Sequence, residues 1–523
     1  MNWKQYKTLP PAKKQDESYY IIGLDIGNES SGIAFYNLRE KSPESIDLSG
    51  GYGKPSIPTV MQYIAETNEW VFGEYAILNQ GAGTEITFRS LVQRLGSFDY
   101  VQVGTRDLKV ALVISRFIKE LMGNVRNINP KAEIVGIVAA IPEKLGHDGQ
   151  EELKEAFRLA GYEKELIALV PSRECVLANH YRHLLPGKEN ILLLDYGSRE
   201  VRGGVYAIND LPSAPIKDGP IQVTAMSSLF DEEIGTGMIL QDIHSFLETF
   251  LHATPNNSET ISKDALHGHL SAFTYQHKDI LFQKNIRTKP AKLYYNFVYP
   301  PFQQSISHAD VEVRTTPYKQ RFSQFITHTM KKIISDAKLD PKDINGVLCV
   351  GGGFEMLWAR EAVGAVFGEE QIHMYRNAKL AIAEGAAQVA AIMLEAAPGY
   401  TYNIEDTHQL HGDIGIKTGD VYVPLIEQDV FWWQAHQPKL VLVKGKIDGE
   451  LDLSIAQRTP SGERVISSHT ITGLPKRPKG TTRLEFGVKF KSDTRMTIRI
   501  TDMGFGEMFP KTSFQRELVI RLA

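Results

Sequence analysis

Two stretches of the chain share one layout, in which an apolar strand ends in Asp-x-Gly and a polar turn leads into a second strand. The first is YIIGLDIGNESSGIAFYN (residues 20–37), and the second is ILLLDYGSREVRGGVYAI (residues 191–208). The aspartates at the strand ends are Asp25 and Asp195. A single Asp-x-Gly is a weak signal, because both residues end strands in many folds. Two copies in matching positions indicate an internal repeat of a strand–turn–strand unit.

Such a pair of hairpins is suited to binding phosphate groups. The backbone N–H groups of a tight turn can face an anion, and Gly27 and Gly197 allow a ligand to approach the backbone closely. A carboxylate at the end of the preceding strand can hold the waters of a hydrated Mg²⁺, for which Asp25 and Asp195 are the candidates. Two hairpins that face each other across a cleft would contact the phosphates of one nucleotide from both sides.

A third glycine-rich element follows later in the chain. In INGVLCVGGGFEMLWAREAVGAVF (residues 344–367), an apolar strand leads through Gly351 to Gly353 into a helical pattern. Such a turn lets a flat ligand or a phosphate approach the backbone and the helix N-terminus. The next helical segment, residues 377–397, is rich in small residues and suited to close packing behind a site. Helix packing without a ligand is the alternative explanation.

The pattern along the chain predicts four regions within its 523 residues. Residues 1–18 are predicted to be a flexible tail, and residues 19–395 alternate strand-like and helical patterns as an α/β domain does. A polar linker is predicted at residues 396–411. Residues 412–523 contain short alternating segments typical of a β-sandwich. There Leu484, Phe486, Val488 and Phe490 recur at period two, as a half-buried strand requires.

Composition excludes several classes of protein. A net charge of −4 gives no indication of a nucleic-acid-binding surface. No apolar run approaches the roughly 20 residues that cross a bilayer, so no membrane association is predicted. The N-terminal segment lacks an apolar signal core, and Cys175 and Cys349 are the only cysteines. Both features predict a cytoplasmic location.

The order of these elements resembles the actin-like ATPase fold, and specifically the seventy-kilodalton heat-shock chaperones, as a divergent member without a helical lid. Residues 25–27 are similar to the first phosphate motif of that family, residues 195–197 to the second, and residues 349–357 to its adenosine motif. Residues 414–428 and 470–490 resemble its peptide-binding sandwich. The resemblance implies a two-lobed actin-like (duplicated ribonuclease-H-like) α/β ATPase domain followed by an all-β sandwich domain.

The resemblance also implies a set of site residues. Asp25 and Asp195 would be catalytic and would hold Mg²⁺ through water, together with a carboxylate that orients the attacking water. The register leaves that position at Ser172 or Glu174. Glu174 could orient the water; the alternative explanation is a glutamate favoured at a helix start by the helix dipole. Nucleotide-binding candidates are Gly27, Asn28, Gly197, Ser198, Arg199, Gly235, Gln283, Arg287, Gly351, Gly352 and Gly353. Peptide-binding candidates are Thr418, Leu440 and Leu451.

The chain departs from the family pattern at several of these positions. Glu29 and Glu200 stand in the two turns where the family has small residues. Glutamates repel phosphate unless they point away or bind a cation, whereas Arg199 could contact phosphate directly. The segment that resembles the family's catalytic-lysine region, residues 87–96, has no lysine, and Lys379 stands where the family has an aspartate.

These features predict a chaperone-like protein that binds ATP or ADP with Mg²⁺, hydrolyses ATP slowly if at all, and binds polypeptide through the sandwich. The predicted partners are a polypeptide or protein and, as a possible second partner, a co-chaperone. The alternative is a non-hydrolysing, nucleotide-sensing scaffold that binds a folded partner, which the altered turns and the polar linker favour. A sugar or acetate kinase of the same superfamily is disfavoured by the C-terminal sandwich.

Overall fold

The computed structural model divides the chain into two compact units, Met1–Glu405 and Asp406–Ala523. It describes residues 18–48, 55–78, 85–96, 100–143, 145, 147–181, 187–212, 219–231, 233–252, 263–277, 281, 290–295, 302–375, 378–406, 413–419, 421–426, 438–459, 462–492 and 495–521. The predicted tail therefore lies outside the described residues except for Ser18.

Strands and helices alternate along the first unit, which confirms the predicted α/β pattern. The strands are β1 (Tyr19–Ile26), β2 (Ser30–Asn37), β3 (Ser42–Ser45), β4 (Ser56–Pro58), β5 (Val60–Ile64), β6 (Glu69–Phe72), β7 (Glu85–Arg89), β8 (Tyr100–Val103), β9 (Arg106–Lys109), β10 (Glu133–Ile141), β11 (Leu166–Pro171), β12 (Gly187–Tyr196), β13 (Val201–Leu211), β14 (Ile221–Asp231), β15 (Ala291–Tyr295), β16 (Phe302–Ile306), β17 (Gly346–Val350), β18 (Ile372–Met374) and β19 (Tyr402–Asp406). The helices are α1 (Gly73–Leu78), α2 (Val110–Ile128), α3 (His147–Ala160), α4 (Ser172–His180), α5 (Thr236–His252), α6 (Lys263–Gln276), α7 (His308–Gln324), α8 (Lys331–Asp336), α9 (Leu357–Phe367) and α10 (Ala381–Met393).

Two six-stranded sheets form the framework of this unit, and each contains one Asp-x-Gly hairpin. The first sheet has the order β11-β10-β1-β2-β3, with β4 also paired to β2. The second has the order β18-β17-β12-β13-β14-β19. In both sheets the hairpin is antiparallel and its first strand has a parallel neighbour, β10 beside β1 and β17 beside β12. The internal repeat therefore extends from the sequence to the topology.

The small-residue helix α10 packs directly on β1 and on α4. A Cβ atom at Gly23 of β1 would overlap the backbone of Ala383 and Ala387 in α10. A Cβ atom at Gly385 of α10 would overlap the backbone of Cys175 in α4. Because only glycine permits such approaches between backbones, α10 fixes the positions of β1 and α4 relative to each other. Both elements lead into the candidate site.

The predicted linker contains a strand of the first unit, which corrects the prediction for residues 402–406. Strand β19 lies beside β14 at the edge of the second sheet, and the N–H of Ile221 donates to the carbonyl oxygen of Thr401 at 2.9 Å. Tyr402 and Ile404 are buried, while Asn403 between them is exposed. This period-two alternation is a strand signal that the polar residues after it obscured. Residues 407–411 lie outside the described ranges.

The second unit consists of two antiparallel four-stranded sheets, as predicted for an all-β region. Strands β20 (Asp413–Thr418), β21 (Val421–Ile426), β23 (Glu450–Thr459) and β24 (Gly462–Thr472) pair in the order β21-β20-β23-β24. Strands β22 (Lys439–Val443), β25 (Thr482–Ser492), β26 (Arg495–Asp502) and β27 (Gln515–Arg521) pair in the order β22-β25-β26-β27. The four apolar side chains recognised at period two in β25 are all buried, which confirms that pattern.

Candidate functional site

A cleft of about 350 Å³ opens in the first unit where the two Asp-x-Gly hairpins end. Its walls come from both hairpin turns, the segment after β10, the starts of α4 and α5, and the glycine turn after β17. The volume lies within the range of about 300–1,000 Å³ that is typical of small-molecule sites. The cleft therefore combines the three glycine-rich elements that the sequence indicated.

The first hairpin contributes Asp25, Gly27, Asn28, Glu29 and Ser30 to the cleft. Its turn is tight, because a Cβ atom at Gly27 would lie 2.6 Å from the carbonyl oxygen of Ser30. The carbonyl oxygen of Glu29 accepts a hydrogen bond from the N–H of Thr59 at 3.0 Å. The Oδ1 atom of Asn28 is buried and has no hydrogen-bond partner among the described residues. A buried acceptor of this kind fits a ligand that brings a donor.

The second hairpin contributes Asp195, Gly197, Ser198, Arg199 and Glu200. Its turn closes through a hydrogen bond of 2.9 Å from the N–H of Gly197 to the carbonyl oxygen of Glu200.

The start of α5 holds this second turn in place. The N–H of Thr236 donates to the carbonyl oxygen of Gly197 at 3.0 Å, and that of Gly237 to the carbonyl oxygen of Ser198 at 2.7 Å. Gly235, a predicted ligand contact, is not among the residues that line the cleft. It packs against the turn, where a Cβ atom would overlap the backbone of Arg199. Gly235 therefore positions the turn, while Thr236 and Gly237 line the cleft.

The glycine turn after β17 divides into two roles. Gly351 and Gly352 line the cleft. Gly351 has φ = 92°, and a Cβ atom there would lie 2.7 Å from Oδ1 of Asp195. A side chain is thus excluded at this position by conformation and by space. Gly353 does not line the cleft, because it packs on the ring of Tyr196, which a Cβ atom would overlap.

Of the two alternatives for the water-orienting residue, the structure brings only Ser172 to the cleft. The hydroxyl of Ser172 donates to the carbonyl oxygen of Ile141 at 3.1 Å. Glu174 does not line the cleft, and its carboxylate accepts a hydrogen bond from the backbone N–H of Ile404 in β19. Burial raises the pKa of Glu174 to about 8, although the charge of Arg173 and that hydrogen bond oppose the rise. Ser172 and Glu174 lie two positions apart on α4. Their side chains therefore have different surroundings, the cleft for Ser172 and strand β19 for Glu174.

The cleft is rich in acidic groups. Six acidic side chains line it, together with three basic ones: Asp25, Glu29, Glu143, Asp195, Glu200 and Glu355, against Arg199, Arg202 and Lys379. Burial raises the pKa of Asp25 to about 7, opposed by the charge of Lys379. Burial and the charge of Glu143 raise the pKa of Asp195 to about 7, opposed by the charge of Arg202. A cation between these carboxylates would favour their ionised forms.

The donor set fits a hydrated cation better than a cage made of protein ligands alone. In the part of the chain that the structure describes, no three His, Cys, Asp or Glu side chains are grouped to hold a metal ion. Mg²⁺ keeps several waters and is usually bound by one or two carboxylates together with substrate phosphates. Asp25 and Asp195, which both line the cleft, could supply the two carboxylates of such an arrangement.

An ion pair in the cleft was not predicted from the sequence. The Arg202 guanidinium donates from Nη1 to Oε2 of Glu143 at 2.9 Å and from Nη2 to Oε1 of Glu200 at 3.0 Å. Arg202 is paired with Asp195 in the β12–β13 hairpin, whereas Glu143 follows β10 of the other sheet. The two partners are 59 positions apart, so no local pattern links them. The only signal in the sequence was a charged residue at the end of a strand.

The remaining predicted nucleotide-binding residues, Gln283 and Arg287, lie outside the described residues. In the second unit, Thr418 at the end of β20 and Leu451 near the start of β23 lie at the same end of neighbouring strands. Leu440 belongs to the other sheet, where 53% of its surface is exposed on β22. None of the helices in the described part of the chain is long and apolar enough to span a membrane.

Two family models match parts of the chain. One is described as "Domain of unknown function (DUF8552)" and matches residues 409–522; the other, "Family of unknown function (DUF5716) C-terminal", matches residues 42–186.

Similar proteins extend over nearly the whole chain. The chaperone protein DnaK of Thermosipho africanus is 24% identical over 510 residues, which are 93% of this chain and 79% of that protein. DnaK of Thermosipho melanesiensis matches to the same extent, and DnaK of Thermotoga petrophila is 23% identical over 94% of this chain and 80% of its own length. The mixed α/β and β-rich architecture agrees with an Hsp70-like ATPase followed by a β domain. This distant similarity to the DnaK chaperones supports an Hsp70-like chain and a chaperone-like function in general.

Proposed function

We propose that the protein binds ATP or ADP with Mg²⁺ in the cleft of the first unit and binds polypeptide through the second. One observation carries the nucleotide-binding part: Asp25 and Asp195, from two separate hairpins, line the same cleft as the Gly351 turn. In this arrangement the phosphates lie between the two turns, and the adenosine lies against Gly351 and Gly352. Gln283 and Arg287 remain predicted contacts to the adenosine.

The phosphate end of the ligand would meet several groups of the cleft. Arg199 in the second turn supplies a positive charge, and the tight turn at Gly27 allows a close approach to the backbone. Mg²⁺ would be held by Asp25 and Asp195 through its waters, and when bound it neutralises charge on the phosphates. Glu29 and Glu200 oppose phosphate binding unless that cation is present.

Hydrolysis is proposed to be slow, because the cleft offers phosphate three basic groups and six acidic ones. The same excess of acidic groups favours the second candidate, a non-hydrolysing nucleotide-sensing scaffold that binds a folded partner. Release of inorganic phosphate from Mg-ATP separates the two candidates. The first requires release that is lost in Asp195→Ala, while the second requires Mg-ATP binding without release.

For the second unit, binding of an extended polypeptide at Thr418, Leu440 and Leu451 is proposed. The exposed apolar side chains of Leu440 and Leu442 on the edge strand β22 support contact with an apolar segment. An edge strand can also pair with an added strand. A co-chaperone partner and a cytoplasmic location remain predictions.

The polypeptide-binding proposal is tested by the fluorescence anisotropy of a labelled, extended apolar peptide added to the full chain. Leu440→Asp should weaken binding by at least about tenfold, since it places a charge at an apolar contact. Val519→Asp is the matched control, because Val519 is similarly exposed (52%) on β27 at the opposite edge of the same sheet. Equal losses in both variants, or in neither, would refute the assignment of this edge.

A further inference from the structure

The cleft contains a glutamate that belongs to neither hairpin. Glu143 follows β10 through Pro142, and β10 lies parallel to β1. Asp25 is paired with Ala140 in that register. Glu143 therefore lies three residues beyond the position beside Asp25, at the end of the strands, and lines the cleft.

Each oxygen of the Glu143 carboxylate accepts a hydrogen bond from a different donor. Its Oε2 accepts from the Arg202 guanidinium at 2.9 Å, and its Oε1 accepts from the backbone N–H of Arg173 at 3.2 Å. The side chains of Glu143 and Arg202 are 13% and 16% exposed. A carboxylate held by a guanidinium and a backbone donor has little rotational freedom. Its orientation is thus set before any ligand enters.

Five of the other candidates for orienting a water molecule are engaged differently. Ser172 has no carboxylate, and its hydroxyl donates to Ile141. Glu174 lies off the cleft and accepts from Ile404. Glu200 in the second turn accepts a hydrogen bond from Arg202 of β13. Asp25 and Asp195 have already been assigned to the hydrated cation.

We propose that Glu143 is the catalytic carboxylate that positions the attacking water, and that Arg202 is a positioning residue that holds Glu143. This inference rests on the proposed slow hydrolysis of ATP. The water oxygen forms a bond to the γ-phosphorus while the bond from that phosphorus to the β–γ bridging oxygen breaks. ADP leaves with the electron pair, and the proton of the water passes to Glu143 and then to the released phosphate.

A purely structural role for the same ion pair has different consequences. If Glu143 and Arg202 only joined the two sides of the cleft, removal of either partner would lower stability and nucleotide affinity together. The catalytic assignment instead predicts a rate loss in Glu143 variants at nearly constant affinity. Measuring the hydrolysis rate and the Mg-ATP affinity of the same variant therefore separates the two roles.

The test combines single-turnover hydrolysis of Mg-ATP with calorimetric Mg-ATP affinity, both on the full chain. In Glu143→Gln, whose amide oxygen can still accept from Arg202, the rate should fall by at least about 100-fold while the affinity stays within about threefold. Arg202→Met should lose about tenfold in rate through the freed carboxylate. Formate should restore part of the rate to Glu143→Ala and none to Arg202→Met. Glu174→Gln tests the rival carboxylate and should retain the wild-type rate.

Each contrary result is distinguishable. A wild-type rate in Glu143→Gln, or a loss in Glu174→Gln alone, would overturn the assignment and leave ATP hydrolysis in place. Mg-ATP binding without turnover in the wild-type protein would contradict the role of Glu143 but not nucleotide binding. Absence of Mg-ATP binding in the folded wild-type protein would refute both proposals.

Discussion

Burial controls the charge of the aspartates at the ends of β1 and β12. Removal from water raises the pKa of both Asp25 and Asp195 to about 7, because burial penalises the charged form. A cationic side chain of the cleft opposes each rise in pKa: Lys379 for Asp25 and Arg202 for Asp195. Near neutral pH these two carboxylates therefore lie close to the balance between neutral and charged forms, which a bound cation would shift towards ionisation.

The same effect at Glu174 leads to a prediction about stability and pH. Its pKa is about 8 in the folded protein and about 4.3 in an unfolded chain. Between these values the folded state keeps a proton that the unfolded state releases, so this contribution to stability is complete below about pH 4 and is lost as the pH rises through 8. In Glu174→Gln the contribution is absent. The stability of the wild-type first unit relative to this variant should therefore fall by up to about 1.4 kcal/mol per pH unit within that window.

Urea unfolding of both proteins at pH 5.5, 6.5 and 7.5 measures this difference. Parallel pH dependences of the two free energies of unfolding would show that Glu174 titrates normally. The hydrogen bond from Ile404 would then have to lower the pKa of Glu174 by as much as burial raises it.

At the residue scale, sequence reasoning identified local signals and missed contacts between distant positions. Asp25, Asp195, Gly351 and Gly352 were predictable, because their chemistry follows from their place at a strand end or in a turn. Glu143 and Arg202 were not, because their roles depend on a pairing between segments 59 positions apart. The choice between Ser172 and Glu174 could not be made from the sequence for a similar reason. Glu174 contacts Ile404 of β19, which is distant in the sequence.

The packing of α10 gives a prediction at the scale of elements. Gly23→Ala places a methyl group into the backbone of α10, and such overpacking should lower the free energy of unfolding by about 1–3 kcal/mol or more. Gly123→Ala in α2 is the control with the opposite sign. Its Cβ atom would meet nothing within 4 Å, and alanine is favoured over glycine in a helix by about 1 kcal/mol.

Urea denaturation followed by circular dichroism compares the two variants with the wild-type protein. If Gly23→Ala were as stable as the wild type, α10 would not pack on β1 as the structure shows.

In the second unit, one buried ion pair organises the segment between β26 and β27. Asp502 and Arg477 form two hydrogen bonds of 2.6 and 2.8 Å, and their side chains are 0% and 3% exposed. Asp502 also accepts from the N–H groups of Gly504 and Thr512. Asp502→Ala leaves a buried guanidinium without its carboxylate and should destabilise this unit by about 3–5 kcal/mol.

The exposed pair Lys446–Asp448 supplies the control for this substitution. Asp448→Ala should change the stability by less than about 0.5 kcal/mol. Thermal unfolding of the full chain monitors both variants. Similar midpoints for the two would contradict a structural role for the buried pair.

Element types were more predictable than their assignment to units. Period-two alternation identified β25, and the small-residue pattern of residues 377–397 identified a closely packed helix. At β19 the polar composition predicts a linker, although Tyr402 and Ile404 alternate as in a strand. Pairing with β14, some 170 positions earlier in the chain, decides its structure, and a local pattern contains no information about that partner.

At the scale of the whole molecule, the repeated hairpin explains how one cleft is built. In each sheet, the first strand of the hairpin carries an aspartate near its end, next to a tight turn. Both turns line one cleft together with the Gly351 turn. The distant similarity to DnaK covers both units. The acidic turns and the Glu143–Arg202 pair all line this cleft. Under the proposed function, these groups would affect the rate of hydrolysis more than the binding of nucleotide.

Calorimetric titration of the full chain with ATP and ADP, with and without Mg²⁺, measures whether the two hairpins bind a nucleotide. Asp25→Ala and Asp195→Ala are measured alongside, with circular dichroism to show that each variant is folded. The two-hairpin site predicts Mg²⁺-dependent binding that either substitution weakens by at least about tenfold. Absence of binding to the folded wild-type protein at millimolar nucleotide, or binding unaffected by both substitutions, would contradict a nucleotide site at these hairpins.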